Sequence, residues 1–218
     1  MRGTAIAASR SERELGGTGR NAARMSERPV RSFVAVLLPE PVRAGLAAVS
    51  AELHARAPGL ALVRVDNLHI TLRFLGEVKP ATLGKVQEAV AVAAGAVSPF
   101  TVTLGGLGGF PSGRAPRVVW AGVVSGGAGL GALHAALEAA LVARGIPGDR
   151  RAFHPHVTLA RARDPQGAGR LASLLGEGLS FGEVRVTALH LMRAELHPRG
   201  ARYSVLTEAL LADAYAQG

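Results

Sequence analysis

Two short segments of the sequence combine side chains that are suited to acid–base chemistry. His69–Leu72 reads His-Ile-Thr-Leu and His156–Leu159 reads His-Val-Thr-Leu. Successive side chains of a β-strand point to opposite faces, so each segment is expected to place an imidazole and a hydroxyl on one face. The two aliphatic side chains then face the core. Two such strands beside one cleft would bring together two imidazoles and two hydroxyls.

This set of side chains suits the cleavage of a phosphodiester without a metal ion. An imidazole titrates near pH 6.5, so one histidine accepts a proton at neutral pH while its partner donates one. The acceptor activates water on one side of phosphorus, and the donor protonates the leaving oxygen on the other. The hydroxyls of Thr71 and Thr158 are expected to bind the non-bridging oxygens, where charge accumulates. The residue types leave open which histidine is the donor.

The residues alone leave two other interpretations of the histidines open. In one, both are half-buried structural residues beside threonines that favour strands. In the other, His69, His154 and His156 hold a metal, although Asp164 is the nearest carboxylate to the last two in sequence. Threonine hydroxyls are poor partners for zinc-type sites. We therefore predict that the site uses neither a metal nor a cofactor.

The composition sets limits on the class of protein. The chain has 218 residues, 48% of them hydrophobic and 19% charged, which fits one globular domain or two small lobes. It has no cysteine, which excludes disulfides and thiol nucleophiles and fits a cytoplasmic protein. No run of eighteen apolar residues predicts a membrane span. The net charge of +9, carried almost entirely by arginine, suits a phosphate-bearing substrate, although codon bias also explains it.

The distribution of apolar residues divides the chain at residue 28. Residues 1–28 have almost no apolar periodicity, which predicts a disordered tail or a mis-assigned start with Met25 as the first residue. Residues 29–218 are predicted to form one bilobal domain. Helical spacing predicts helices at 41–57, 81–96 and 130–144 and a short helix at 168–176. Strands are predicted at 33–38, 60–65, 68–75, 100–104, 117–124, 156–161, 182–196 and 202–210, and a Gly/Pro loop at 105–116.

These elements predict an α+β fold with antiparallel sheets, because strands and helices do not alternate regularly and short turns join many strands. Five segments between residues 30 and 210 also carry a resemblance to a known family, in the family's order: Arg31–Val36, Asn67–Val78, Pro116–Val123, Phe153–Arg161 and Gly200–Leu206. In these segments the chain resembles the two-histidine phosphoesterases, specifically the RNA 2',3'-cyclic phosphodiesterases formerly called 2'-5' RNA ligases.

The resemblance implies two pseudo-symmetric lobes, each an antiparallel sheet with helices outside, and an active-site cleft between them. It implies that His69 donates a proton to the leaving 3' oxygen, that His156 accepts one from water, and that the product is a 2'-phosphomonoester. It implies that Thr71 and Thr158 hold the phosphoryl oxygens. The expected partners are RNA with 2',3'-cyclic phosphate ends or cyclic nucleotides, bound by a monomer that does not associate with membranes. Reversible 2'-5' ligation and a non-catalytic RNA-binding module are the alternative functions.

Two arginines are candidates for holding the phosphate. Arg161 occupies the family's position after the second motif, but strict alternation puts it on the face opposite His156, so it is structural unless the strand bends. Arg73 follows His69 by four residues, and strict alternation puts it on the same face as His69. It is therefore the rival phosphate ligand.

Overall fold

The computed structural model describes residues 28–112, 116–162, 176–198 and 200–212. The helices are α1 (Glu40–Arg56), α2 (Pro80–Gly95) and α3 (Gly127–Val142), with one turn of 3-10 helix at Val65–Asn67. The strands are β1 (Val30–Leu37), β2 (Leu60–Leu62), β3 (His69–Val78), β4 (Phe100–Phe110), β5 (Val118–Ser125), β6 (His156–Ala162), β7 (Gly176–Val186), β8 (Ala188–Glu195) and β9 (Arg202–Leu210). None of these helices has the length and the apolar character needed to cross a membrane.

All pairings between the strands are antiparallel. The order across the sheet is β7-β4-β5-β6-β3-β1-β8-β9, and the short β2 pairs with β6. The sheet has two halves, β7-β4-β5-β6 and β3-β1-β8-β9. Among the described residues, one pair in register, Ile70–Val157, joins β3 to β6 between the halves. This confirms the predicted α+β class and its antiparallel halves, and it shows that the two halves are joined in one curled sheet.

The helices cover the sheet and supply much of the core. Helices α2 and α3 pack against each other, α2 also contacts β8 and β9, and α1 contacts β7 and β6. The spacing of leucines in α3 predicts its buried face, and Leu130, Leu133, Leu137 and Leu141 are fully buried. Burying a leucine side chain stabilises a fold by about 2 kcal/mol, so this face anchors α3 to the sheet.

The predicted helices and strands agree with the structure except at three places, of which the first is the strand predicted at 60–65: it ends at Leu62, and a turn of 3-10 helix begins at Val65. The three long helices are confirmed, with each end within three residues of its predicted place. The segment 105–116 was predicted as a loop, but β4 continues through it to Phe110. The single strand predicted at 182–196 begins earlier, at Gly176, and is interrupted at Thr187, between β7 and β8. Residues 168–175 of the predicted short helix and residues 1–27 of the predicted tail lie outside the described residues. The last residue of that predicted helix, Gly176, is the first residue of β7.

Candidate active site

The two histidine motifs lie on neighbouring strands at the centre of the sheet. Ile70 of β3 pairs with Val157 of β6, and both side chains are fully buried. Antiparallel register places the residue before one member of a pair opposite the residue after the other. His69 therefore lies level with Thr158, and Thr71 with His156, on the face opposite the buried side chains. The structure thus brings the four predicted side chains together about a local two-fold axis.

Each imidazole is fixed by the backbone two residues before it. Nδ1 of His69 lies 2.7 Å from the carbonyl oxygen of Asn67, and Nδ1 of His156 lies 2.6 Å from that of His154. A carbonyl only accepts hydrogen bonds, so Nδ1 carries the proton and donates it in both rings. Nε2 is therefore the titrating atom of each histidine. The Thr71 hydroxyl lies 2.9 Å from Nε2 of His69 and donates to it when the ring is neutral.

Aromatic side chains surround both imidazoles. The His69 ring stacks on Phe33 with centroids 4.8 Å apart and meets the edge of Tyr203 at 5.5 Å. The His156 ring meets Phe110 edge to face at 5.2 Å. These contacts hold the planes of the rings and remove water from them, which leaves both imidazoles only partly exposed.

This environment favours the neutral form of both histidines. Burial lowers the pKa of His69 below the usual 6.5, the bond to the Asn67 carbonyl opposes this, and the charge of His156 adds to it. Burial also lowers the pKa of His156; its bond to the His154 carbonyl again opposes this, and the charge of Arg161 adds to it.

A β-bulge follows the threonine in each motif. The pairing of β3 with β1 skips Leu72, and the pairing of β6 with β5 skips Leu159. A bulge turns two successive side chains toward the same side, and here each leucine and the residue after it are buried. The following residues, Phe74 and Arg161, are exposed and line the cleft. The bulges therefore change the alternation that the sequence predicts.

This change corrects the predicted position of Arg73. It was predicted on the His69 face, but the bulge directs it away from the cleft and leaves it only 8% exposed. Its Nη1 contacts Glu138 at 3.1 Å and Asp149 at 3.5 Å, and its Nη2 donates to the carbonyl of Pro147 at 2.6 Å. Arg73 is therefore committed to an internal ion-pair network and is not available as the phosphate ligand.

The same effect brings Arg161 to the site. Strict alternation predicts Arg161 on the face opposite His156 unless the strand bends. The bulge at Leu159 is such a bend. Arg161 lines the cleft together with Phe33 and Tyr203, and its charge lowers the pKa of His156. No carboxylate among the described residues pairs with Arg161.

The cleft contains two adjoining cavities that share Phe74 and Arg151. The first, of about 330 Å³, is called the histidine cavity here, and the second, of about 430 Å³, the arginine cavity. The histidine cavity is lined by Thr71, Leu72, Phe74, Phe110, His134, Asp149, Arg151, Ala152, Phe153, His154 and His156. The arginine cavity is lined by Arg31, Ser32, Phe33, Phe74, Gly76, Arg151, Arg161, Ala194, Leu196, Ala201 and Tyr203.

Some residues of the cleft were not identified from the sequence. Arg151 and Asp149 form a bidentate ion pair beside the histidine cavity, with Nη2 2.7 Å from Oδ2 and Nε 3.1 Å from Oδ1. Phe33 and Tyr203 contact the ring of His69 from β1 and β9. Phe33 and Tyr203 lie far along the chain from His69, so local spacing carries no signal for them. Asp149 and Arg151 lie seven and five residues before His156, and this proximity was the only signal in the sequence for either.

Two half-sheets that meet at a pair of His-x-Thr strands define the class of two-histidine phosphoesterases. Within this class the chain belongs to the 2'-5' RNA ligase superfamily, whose family model matches residues 38–198. A protein of Thermus thermophilus named RNA 2',3'-cyclic phosphodiesterase is 39% identical over 183 residues, which are 81% of this chain and 88% of the relative. A protein of the same name from Methanothermobacter thermautotrophicus is 33% identical over 177 residues, 80% of this chain and 95% of the relative.

Solved structures share the fold. A crystal structure of a Thermus thermophilus protein is 33% identical, with a TM-score of 0.70 over 84% of this chain and 99% of that chain. Apo Escherichia coli LigT is 30% identical, with a TM-score of 0.67 over 85% of this chain and 99% of that chain. LigT has also been crystallised with 3'-AMP and with phosphate. The residues matched by the family model include both histidine strands.

Proposed function

We propose that the protein hydrolyses RNA or nucleotide 2',3'-cyclic phosphodiesters to 2'-phosphomonoesters with His69 and His156 as its acid–base pair. One observation carries this proposal. Both imidazoles have Nδ1 bound to a backbone carbonyl, so both titrate at Nε2 on the same face of two paired strands. The relatives named RNA 2',3'-cyclic phosphodiesterase support the substrate class.

The reaction requires one proton to be taken and one to be given. Nε2 of neutral His156 accepts a proton from water while the water oxygen attacks phosphorus. The bond from phosphorus to the 3' oxygen breaks, and Nε2–H of protonated His69 donates its proton to that oxygen. The product is a 2'-phosphomonoester with a free 3'-hydroxyl. The cation of Arg161 supports this assignment, because it lowers the pKa of His156 and so favours its neutral form.

The remaining polar groups suit the charge that develops on the phosphoryl oxygens. Thr71 and Thr158 provide hydroxyl donors on the same face as the imidazoles, and Arg161 provides a cation. Donors already in place before the reaction stabilise the transition state without reorganisation. We propose that these three residues bind the non-bridging oxygens.

The direct test is hydrolysis of the four nucleoside 2',3'-cyclic phosphates in excess EDTA, with the products separated by chromatography. We expect 2'-monophosphates to be released at the full rate, because the imidazoles, hydroxyls and arginine supply both the proton transfers and the stabilisation of charge. Release of 3'-monophosphates would contradict the assigned leaving oxygen. Activity that EDTA removes and zinc or manganese restores would contradict metal-independent hydrolysis.

Ligation is the second candidate, favoured by the superfamily to which the chain belongs. In ligation a 5'-hydroxyl of RNA replaces water as the nucleophile, attacks the cyclic phosphate and forms a 2'-5' linkage with the same two proton transfers. Incubation of two RNA fragments, one ending in a 2',3'-cyclic phosphate and one beginning with a 5'-hydroxyl, separates the two outcomes. Joined product would establish ligation, and the 2'-phosphate fragment alone would establish hydrolysis. An RNA-binding module would produce neither.

The pH dependence of kcat/KM follows from the lowered pKa of both histidines. This parameter reports the free enzyme, and its optimum lies midway between the two apparent pKa values of the acid and the base. Because both are lowered from 6.5, we expect a bell-shaped profile with an optimum below pH 6.5. Initial rates at low substrate between pH 4.5 and 8.5 measure it.

A variant of Arg161 provides the control for this profile. Arg161→Gln removes the cation that lowers the pKa of His156, so the acidic limb of the profile should move to higher pH. A wild-type optimum above pH 7, or a limb that does not move in this variant, would show that other groups control the rate.

A further inference from the structure

The arginine cavity adjoins the histidines but contains neither of them. Two of its walls, Phe33 and Tyr203, are the residues that contact the ring of His69. Arg161, the proposed ligand of the reacting phosphate, also lines it. A group bound in this cavity would therefore lie directly beside the cyclic phosphate.

The cavity has an excess of positive charge. Three arginines from different parts of the chain line it, namely Arg31 of β1, Arg161 of β6 and Arg151 of the segment before β6, and none of its described lining residues is acidic. Arg31 has only a long contact of 4.0 Å with Glu77, and both side chains are more than half exposed. Such a contact leaves the guanidinium available to a stronger partner.

Arg151 is held in place by a chain of ion pairs. Its Nε and Nη2 donate to the carboxylate of Asp149, and Asp149 also contacts the buried Arg73, which is paired with Glu138. The hydrogen bonds from Arg151 hold the pKa of Asp149 well below its usual range, so the carboxylate stays charged. This arrangement fixes the direction of the guanidinium and leaves Nη1 without a partner among the described residues.

We propose that the arginine cavity binds the phosphodiester that precedes the terminal nucleotide of an RNA strand. This inference rests on the proposed function, and it makes an RNA strand, in place of a free cyclic nucleotide, the preferred substrate. Arginine forks form bidentate, charge-assisted hydrogen bonds to phosphate oxygens. A nucleoside 2',3'-cyclic phosphate fills only the site at the histidines, because it has no second phosphate.

The test compares a nucleoside 2',3'-cyclic phosphate with a dinucleotide that ends in the same group. For each enzyme the measured quantity is the ratio of kcat/KM for the dinucleotide to kcat/KM for the mononucleotide. For the wild type we expect a ratio well above one. For Arg31→Gln we expect a ratio about tenfold lower, because the variant loses one charge-assisted contact to phosphate and its KM for the dinucleotide rises. The dinucleotide should also show the steeper salt dependence, and Arg31→Gln should reduce that excess.

Two control variants separate the lost contact from other effects. Glu77→Gln removes the carboxylate near Arg31 and retains the arginine, so its ratio should equal or exceed that of the wild type. Arg185→Gln removes an exposed arginine from the edge strand β7, in the half of the sheet that does not contain β1, and should retain the wild-type ratio. A fall in the ratio for either control would overturn the assignment to Arg31.

Other outcomes distinguish the inference from the function on which it rests. A wild-type ratio near one, or an unchanged ratio in Arg31→Gln, would overturn the inference about the arginine cavity. If the wild type still hydrolysed both substrates, the proposed function would stand. Failure of the wild type to hydrolyse either substrate would overturn the proposed function itself. A 5'-phosphorylated nucleoside 2',3'-cyclic phosphate tests the source of the phosphate. If its kcat/KM equals that of the dinucleotide, a terminal phosphate is sufficient for binding in the arginine cavity, and the preference for an RNA strand is overturned.

Discussion

Replacing either His69 or His156 with alanine should lower kcat by about 10² or more, because each variant loses one of the two proton transfers. The fold should survive both changes, since the imidazoles lie on the cleft face and the buried pair Ile70–Val157 remains. Residues that act as a pair are not additive, so the double variant should be little worse than the poorer single variant. Steady-state rates and thermal unfolding of the three variants measure these effects.

Two further variants support this test. His54→Ala changes an exposed histidine of α1 and should retain wild-type turnover. His69→Asn keeps a side-chain amide that is able to donate to the Asn67 carbonyl but cannot transfer a proton, so it should be as inactive as His69→Ala. Wild-type turnover in His69→Ala or His156→Ala would show that the residue does not have its proposed role.

Replacing Arg73 with methionine should lower the free energy of unfolding by about 3 kcal/mol, because the partly buried carboxylates of Glu138 and Asp149 lose their shared cation. The carbonyl of Pro147 also loses a donor. Methionine keeps most of the apolar volume, so the effect reports mainly the charge. Urea unfolding followed by circular dichroism measures it.

The Arg73 variant also decides between the phosphate-binding role that the sequence predicts and the structural role that its ion pairs indicate. A phosphate ligand would raise KM and leave stability unchanged, and that result would contradict the structural role. Arg56→Met, which breaks an exposed pair with Glu52 on α1, is the matched control and should change stability by about 0.5 kcal/mol or less. In the double variant Arg73→Met/Glu138→Leu, the loss should be smaller than in Arg73→Met, since one unpaired carboxylate is removed.

The glycine-rich segment of β4 shows why one element was predicted wrongly. Glycines and prolines between 105 and 116 predict a loop by their local preferences. In the structure β4 pairs with β5 and β7 along this segment, and the indole of Trp120 covers Gly108. A Cβ on Gly108 would lie 2.1 Å from the ring, so this glycine makes room for a side chain on the next strand. Pairing across strands outweighed the local preference.

The sequence by itself determined the strands that carry His69 and His156, the side chains that share a face with them, and the three helices that cover the sheet. These features depend on the two-residue period of a strand and the 3.6-residue period of a helix, which neighbouring residues set. Only the tertiary structure decided which arginine reaches the cleft. The bulges at Leu72 and Leu159 arise from the register with β1 and β5, far away in sequence, and they turn Arg73 inward to Glu138 and bring Arg161 to His156.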